Sequence, residues 1–451
     1  MGSKPNDNLQ ESTLTEVPGG WRFAVRALRS PNYRMFFGGQ TISLVGSWMT
    51  RLATSWLVYR LTGSAYLLGL VSFAGQVPTF ILGPFAGVWV DRLDRRRVLI
   101  VTQVLSMIQS FWLAGLVLWG HISFTEILLL SIFQGVINAF DMPARQAFLT
   151  EMVERREDLP NAIALNSSMV NGSRLIGPSL AGLVIAGYGE GYCFLIDGIS
   201  YIAVIISLLM MTVTVRDTKR GREGVIADLR EGWRYVSQFQ PVRAILLLLA
   251  LVSFVGMPYT VLMPVFATKY LHGGPSTLGL LMGASGIGAL ASAISLAMRR
   301  SVLGLGKVIP MMSAIFGAGL IAFSLSRWLP LSLFLMLFTG FGLMQQMAAS
   351  NTILQTIVDE KMRGRVMSYY SMAFAGTAPF GSLAAGYVAD RIGAPATLII
   401  GGAVCILGAI WFVSQLGRLR SLVRPIYARL GIIAEVAEGL QTATAIQNAE
   451  Q

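Results

Sequence analysis

Runs of about twenty apolar residues recur along nearly the whole of this 451-residue chain. A hydrocarbon layer about 30 Å thick is crossed by about 20 helical residues, so each run is long enough to be a membrane span. Twelve candidates are read, at 35–59, 65–89, 98–119, 123–140, 162–187, 192–213, 244–268, 276–298, 308–326, 331–350, 366–388 and 395–416. A longer polar segment, 214–243, separates the sixth from the seventh. The expected fold is an all-α membrane protein of twelve transmembrane helices in two six-helix halves. The expected parts are an N-terminal tail (1–34), the N-terminal half (35–213), a linker (214–243), the C-terminal half (244–416) and a C-terminal tail (417–451).

Composition agrees with a lipid solvent: 54% of residues are hydrophobic and 13% charged, where a soluble domain carries about 25% charged residues. The net charge of +12 would suit nucleic acid, but its placement points elsewhere. The N-tail, the even-to-odd turns and the C-tail hold 29 of the 35 Lys and Arg residues. The other side holds Arg60, Lys269, Arg327 and Arg391, while Arg51 and Arg174 fall inside spans. That asymmetry predicts both termini in the cytoplasm, with anionic lipid headgroups rather than nucleic acid facing the basic side. Residues 1–20 contain no apolar h-region, so no cleavable signal peptide is expected. Cys193 and Cys405 lie in apolar runs and read as small buried hydrophobes, not a disulfide pair.

An internal echo supports two duplicated halves. Phe148 to Glu154 follows the fourth span, and the similar Ile353 to Asp359 follows the tenth, 205 residues later. Ser179 to Gly182 is echoed by Ser382 to Gly386.

Between the second and third spans, Gly87, Asp91, Arg92, Arg95 and Arg96 fit a Gly-x-x-x-Asp-Arg-x-Gly-Arg-Arg pattern, with Asp94 where the second Gly is usual. Loop charge alone would need Lys or Arg but no acid at a fixed distance from Gly87. The loop resembles that of the major facilitator superfamily, whose members carry solutes by alternating access between halves. The resemblance implies an inner gate: Gly87 allows close helix approach, and Asp91 meets the positive N-terminal end of span eleven, entered at Arg363-Gly364-Arg365. Gly386, Asp390, Arg391 and Gly393 fit the same template on the outer side and are read as a look-alike.

A second set of residues narrows the likeness. Asp141, Pro143 and Arg145 at the inner end of span four, Leu61 to Ser64 after span one, and Gly177-Pro178 in span five resemble the subgroup of enterobactin exporters and macrolide efflux pumps. Pro143 would end or bend its helix, and Asp141 and Arg145 suit an i,i+4 pair; a purely structural cap is the alternative. Gly177 to Gly182 resembles the Gly-Pro-x-x-Gly-Gly stretch of antiporters, with Ala181 replacing one Gly.

Charged residues within a membrane usually face the bundle interior. Arg51 and Arg174 are read either as a positive cavity lining for an anionic solute, or as internal partners of Asp197 or snorkelling groups. The resemblance adds Tyr259, Gln345 and Gln346 as C-half cavity residues, with interhelical packing as the plainer reading. Proton coupling needs a carboxylate; the candidates are Asp197, Glu126 and Asp141, all near span ends. No enzyme is expected. His121 and His272 are no metal pair, no catalytic set or cofactor site is found, and Gly304-Leu305-Gly306-Lys307 lacks phosphate-loop spacing.

The expected protein is a monomeric secondary transporter of a bacterial inner membrane. It would export an amphipathic small molecule (siderophore or drug) in exchange for protons. A lysophospholipid flippase of the same fold, or a non-transporting sensor, is the alternative.

Overall fold

A computed structural model describes residues 25–90, 92–211, 225–299, 301–430 and 432–433. The regular structure described is helical. Six long helices come first: α1 Pro31–Thr62, α2 Ala65–Val90, α3 Arg95–Leu118, α4 Phe124–Met152, α5 Leu159–Tyr188 and α6 Glu190–Met210. Within the predicted linker lies α7, Val225–Gln238. The remainder comprises α8 Gln240–Val255, α9 Tyr259–Val265, α10 Pro275–Ala297, α11 Leu305–Leu325, α12 Leu329–Ile357, α13 Glu360–Ser371, α14 Ala378–Ile392 and α15 Ala394–Arg429.

Ten helical segments are long and apolar enough to cross a bilayer, counting 240–270 as one. The predicted first and eleventh spans are also helical, as α1 and α13–α14, but do not meet that standard. Trp112, Leu183 and Leu407 are each more than 60% exposed. On a water-soluble surface so many large apolar groups would mark a liability; here they are the lipid-facing surface of a membrane bundle.

Local chemistry sets the helix ends. Gly63 closes α1 at φ 63°, its N–H bonded to Tyr59 O at 2.8 Å, a left-handed conformation that Gly adopts at no steric cost. Asp94, the departure from the loop template, is the N-cap of α3 and accepts from Arg97 N at 3.2 Å. Pro143 lies within α4, which continues to Met152; the expected helix end at Pro143 does not occur. The predicted twelfth span likewise runs past 416, because α15 stays helical to Arg429.

Two predicted spans are interrupted. After α8 the chain turns at Gly256 to Pro258, resumes as α9 and ends in a π-helical turn, Phe266–Tyr270. A second π-helical turn, Met372–Gly376, separates α13 from α14. Such turns often sit at functional positions. Ser253 Oγ in α8 donates to Phe374 O at 2.5 Å, so one interrupted segment hydrogen-bonds to the other.

The arginine-rich turns gather on one face, termed here the basic face. Arg96 reaches the C-terminal end of α6, and Arg95 pairs with Glu151 near the end of α4. Two seams join α1–α6 to the later helices, α2 with α14 and α5 with α10. Both are tight towards the opposite face. A Cβ on Gly69 would lie 2.5 Å from Ser382 O, and one on Gly182 would lie 2.7 Å from Pro275 O. Towards the basic face, Cβ atoms on Gly83, Gly87 and Gly172 would meet nothing within 4 Å. The seams are closed at one end, and beyond Phe80 and Leu175 these glycines border open space, termed here the crevice.

Candidate functional site: a charged crevice in the N-terminal helices

Trp48, in the middle of α1, carries two cations. The Arg51 guanidinium lies 4.9 Å from its ring centroid and that of Arg174, from α5, lies 5.8 Å away. Gly177 makes the arrangement possible, since a Cβ there would sit 2.5 Å from Trp48 Cβ and 2.9 Å from Val45 O. A residue of the Gly-Pro signature thus brings α5 against α1 where both guanidinium groups meet one indole. Arg51 is exposed although its charged and phenolic neighbours lie on α4, α5 and α6: Arg145, Arg174, Asp197 and Tyr201. Its exposure therefore opens into the crevice between helices rather than to lipid. Among the described residues neither Arg51 nor Arg174 has an ion-pair partner. Cation–π contact is worth about 0.5–2 kcal/mol, well short of a full counter-charge.

Asp197 is not that counter-charge. Only 1% exposed, its carboxylate accepts from Thr50 Oγ1 at 2.8 Å, Ser110 Oγ at 3.1 Å and Ser47 Oγ at 3.4 Å. Ser47 Oγ also lies 3.2 Å from Tyr201 OH. The alternative in which Arg51 or Arg174 pairs with Asp197 is thereby corrected: hydroxyls from α1 and α3 occupy the carboxylate. Thr50 precedes Arg51, so the turn that presents the cation also holds the buried acid.

Asp141 does pair with Arg145, as its i,i+4 spacing predicts. It is buried, and further donors reach it from α3: Gln103 Nε2 at 2.7 Å and Thr102 Oγ1 at 2.9 Å. Thr102, Gln103, Ser106, Gln109 and Ser110 form one buried polar stripe on α3. It joins Asp141 to Asp197 over seven residues, about 10 Å at a helical rise. Midway, Gln134 of α4 donates to Ser106 Oγ at 3.2 Å. Sequence reasoning passed over this stripe, although polar residues at i, i+1, i+4, i+7 and i+8 in an apolar run are a readable helical face.

The third proposed acid has a structural partner. Glu126 Oε2 accepts from Ser123 N at 2.6 Å, closing a capping box at the start of α4. The proposed C-half lining is a correction as well. Tyr259 is buried, with its OH 2.8 Å from Ser285 Oγ and its ring edge-on to Phe316. Gln345 accepts from Ser292 Oγ at 2.7 Å. Gln346 is completely buried, and neither polar atom of its amide finds a partner. All three are buried where α9, α10, α11 and α12 pack together, not exposed on a cavity wall.

Of the gate loop, Asp91 lies outside the described residues. Gly87 has no close neighbour, and Arg92 is exposed. Arg96 donates to Leu208 O at 2.8 Å and to Leu209 O at 2.9 Å, satisfying carbonyls at the end of α6. On the far side of the crevice mouth, Arg365 of α13 pairs with Glu231 of α7 at 3.0 Å, and Tyr369 OH donates to Leu229 O at 2.9 Å.

A bundle of long apolar helices that holds ionic and polar side chains in its interior has the make-up of a membrane transporter. A family profile described as "Transmembrane secretion effector" matches residues 23–423, and the chain belongs to that family, within the major facilitator superfamily of transporters. Its members are transporters, not enzymes. The chain is 27% identical to the staphyloferrin A transporter of Staphylococcus aureus over 86% of its own length and 97% of that protein's. It is 28% identical to the multidrug efflux pump Tap of Mycolicibacterium fortuitum over 87% and 97%. Its fold resembles that of the nucleoside transporter NupG, with a TM-score of 0.67 at 11% identity, covering 86% of this chain and 99% of that one. The likeness to siderophore and drug efflux transporters supports an efflux transporter.

Proposed function

We propose that this transporter exports an anionic, amphipathic small molecule from the cytoplasm of a bacterium by alternating access, in exchange for protons. The observation that carries the reading is the pair of guanidinium groups, Arg51 and Arg174, sharing the Trp48 face, neither of them in an ion pair with a carboxylate among the described residues. An anionic solute would complete the charge, and the indole would take its apolar part. The relatives' names add siderophore and drug efflux as the chemistry of this branch. The basic face is assigned to the cytoplasm from the distribution of Lys and Arg, so the crevice would load from inside.

Asp197 is the favoured coupling acid. From α1 it faces Ser47, Thr50 and Arg51, from α3 Ser110, and from its own helix Tyr201. Arg174 of α5 and the Asp141–Arg145 pair of α4 complete the ionisable surroundings. Protonation would turn one accepting oxygen into a donor, disturb three hydroxyl contacts, and loosen the turn that presents Arg51. Asp141 is the second candidate, linked through the α3 stripe.

The test is export from cells grown under iron starvation, with intracellular and secreted metabolites compared by mass spectrometry. Loss of the gene should trap an anionic chelator inside, and Arg51→Gln with Arg174→Gln should reproduce the loss, lowering export about tenfold, the weight of one charge-assisted contact. Normal export of every anionic metabolite by both variants would sink the anion reading.

A further inference from the structure

On the face opposite the crevice mouth, Gly386 and Asp390 of the second template match lie in direct contact with the start of α2. Asp390, at the end of α14, accepts from Ser64 Oγ at 2.6 Å and from Ala65 N at 2.7 Å. Ala65 is the first residue of α2. An acid from the C-terminal half therefore caps the N-terminus of a helix in the N-terminal half, adding charge where the helix dipole is positive. One turn back, Gly386 makes the approach possible: a Cβ there would stand 2.6 Å from Ala65 O and 3.1 Å from Gly69 Cα. The seam continues as an aromatic row. Tyr66 meets Tyr387 edge-on at 6.2 Å, Phe380 meets Phe73 at 5.4 Å, and Arg391 lies 4.5 Å over Tyr387.

The same three residue types, Gly then Asp-Arg at the fourth and fifth positions beyond it, occur as Gly87, Asp91 and Arg92 at the other end of α2. The helices α2 and α14 run antiparallel. Each one's C-terminal end carries the pattern, and the N-terminus of α2 meets the acid of α14. In this structure the two ends differ: Gly386 is in tight contact, while a Cβ on Gly87 would meet nothing within 4 Å.

The geometry points to Asp390 as the positioning residue of an outer latch, which holds the face opposite the crevice mouth shut by capping α2 and must let go when the transporter opens outward. Gly386 is its contact plate. The latch rests on the alternating-access reading, since a rigid bundle would need none.

The full chain is reconstituted in nanodiscs with spin labels at His121→Cys and Trp328→Cys, two positions on the outer turns away from the seam. Cys193 and Cys405 are buried and stay in place. Label–label distance distributions are then recorded for the parent, Asp390→Ala, Ser64→Ala and Gly386→Leu. The parent should show mostly the short, closed distance. Asp390→Ala should raise the ratio of long to short distances about 3- to 10-fold, the size of a lost helix cap. Ser64→Ala removes one of the two bonds to Asp390, together with the acceptor for Leu67 N within α2, and should give a smaller shift of the same sign. Gly386→Leu should open the same face by steric wedging.

A long-distance population that grows with Gly386→Leu but ignores Asp390→Ala and Ser64→Ala overturns the latch and leaves alternating access standing. Distributions that stay fixed in every variant, and at every pH in the parent, overturn alternating access itself. If Asp390→Ala does not give monodisperse protein, Ser64→Ala alone decides, because it removes a hydroxyl and no charge.

Discussion

Gln346 makes the sharpest statement at the scale of one residue. Its side chain is fully buried in α12, and both amide atoms lack partners. Leaving a buried polar group unsatisfied costs about 1–3 kcal/mol. Replacing it with Leu, of similar length, should therefore raise the thermal midpoint of the purified protein. A lower midpoint would show that the amide has a partner, such as a bound water. Asp141 and Asp197 contrast with it, since each has at least three side-chain donors. Sequence spacing exposed the Asp141–Arg145 pair because both lie on one helix, four residues apart. It could not expose the hydroxyls around Asp197, because Ser47, Thr50 and Ser110 lie on two other helices.

At the scale of the element, α5 shows how one small residue sets a site. Gly177 lets α5 rest against α1 beside Trp48, and Arg174 arrives over the indole as a result. Gly177→Leu must push the helices apart or distort one of them. Overpacking of this kind costs about 1–3 kcal/mol. The variant should melt earlier and export should fall, while Gly177→Ala should give a smaller loss in the same direction. Equal melting and export in Gly177→Leu and the parent would contradict the packing argument. The Gly-Pro motif itself was legible in the sequence; its target, Trp48, was not, because the contact joins residues 129 positions apart. Helix ends were partly legible. Gly63 and the Ser123–Glu126 box follow local rules, whereas α4 runs through Pro143 and α15 continues beyond the expected membrane edge.

At the scale of the whole molecule, the proposed alternating access turns on which end of the bundle is open. The seams α2–α14 and α5–α10 are tight at the face latched by Asp390 and parted near Gly83, Gly87 and Gly172. If proton return through Asp197 drives the reverse opening, a gradient of one pH unit supplies about 1.4 kcal/mol per proton, a tenfold bias in accumulation. In proteoliposomes, accumulation by the parent should rise when the compartment on the non-basic side is made more acidic. It should fall when the gradient is collapsed. Asp197→Asn should transport with no such dependence, and a pH response equal to the parent's would remove Asp197 from the mechanism.

Periodic apolar runs, charge asymmetry and short-range motifs are properties of chain order, and they sufficed for the all-helical membrane fold, the family likeness and the Asp141–Arg145 pair. The arrival of Arg174 over the Trp48 indole, the hydroxyl shell of Asp197, the burial of Tyr259, Gln345 and Gln346, and the capping of α2 by Asp390 were decided only by the tertiary structure. The reason is one of distance along the chain: these contacts join different helices, up to 325 residues apart for Ala65 and Asp390, and no local pattern records which faces of two such helices will meet.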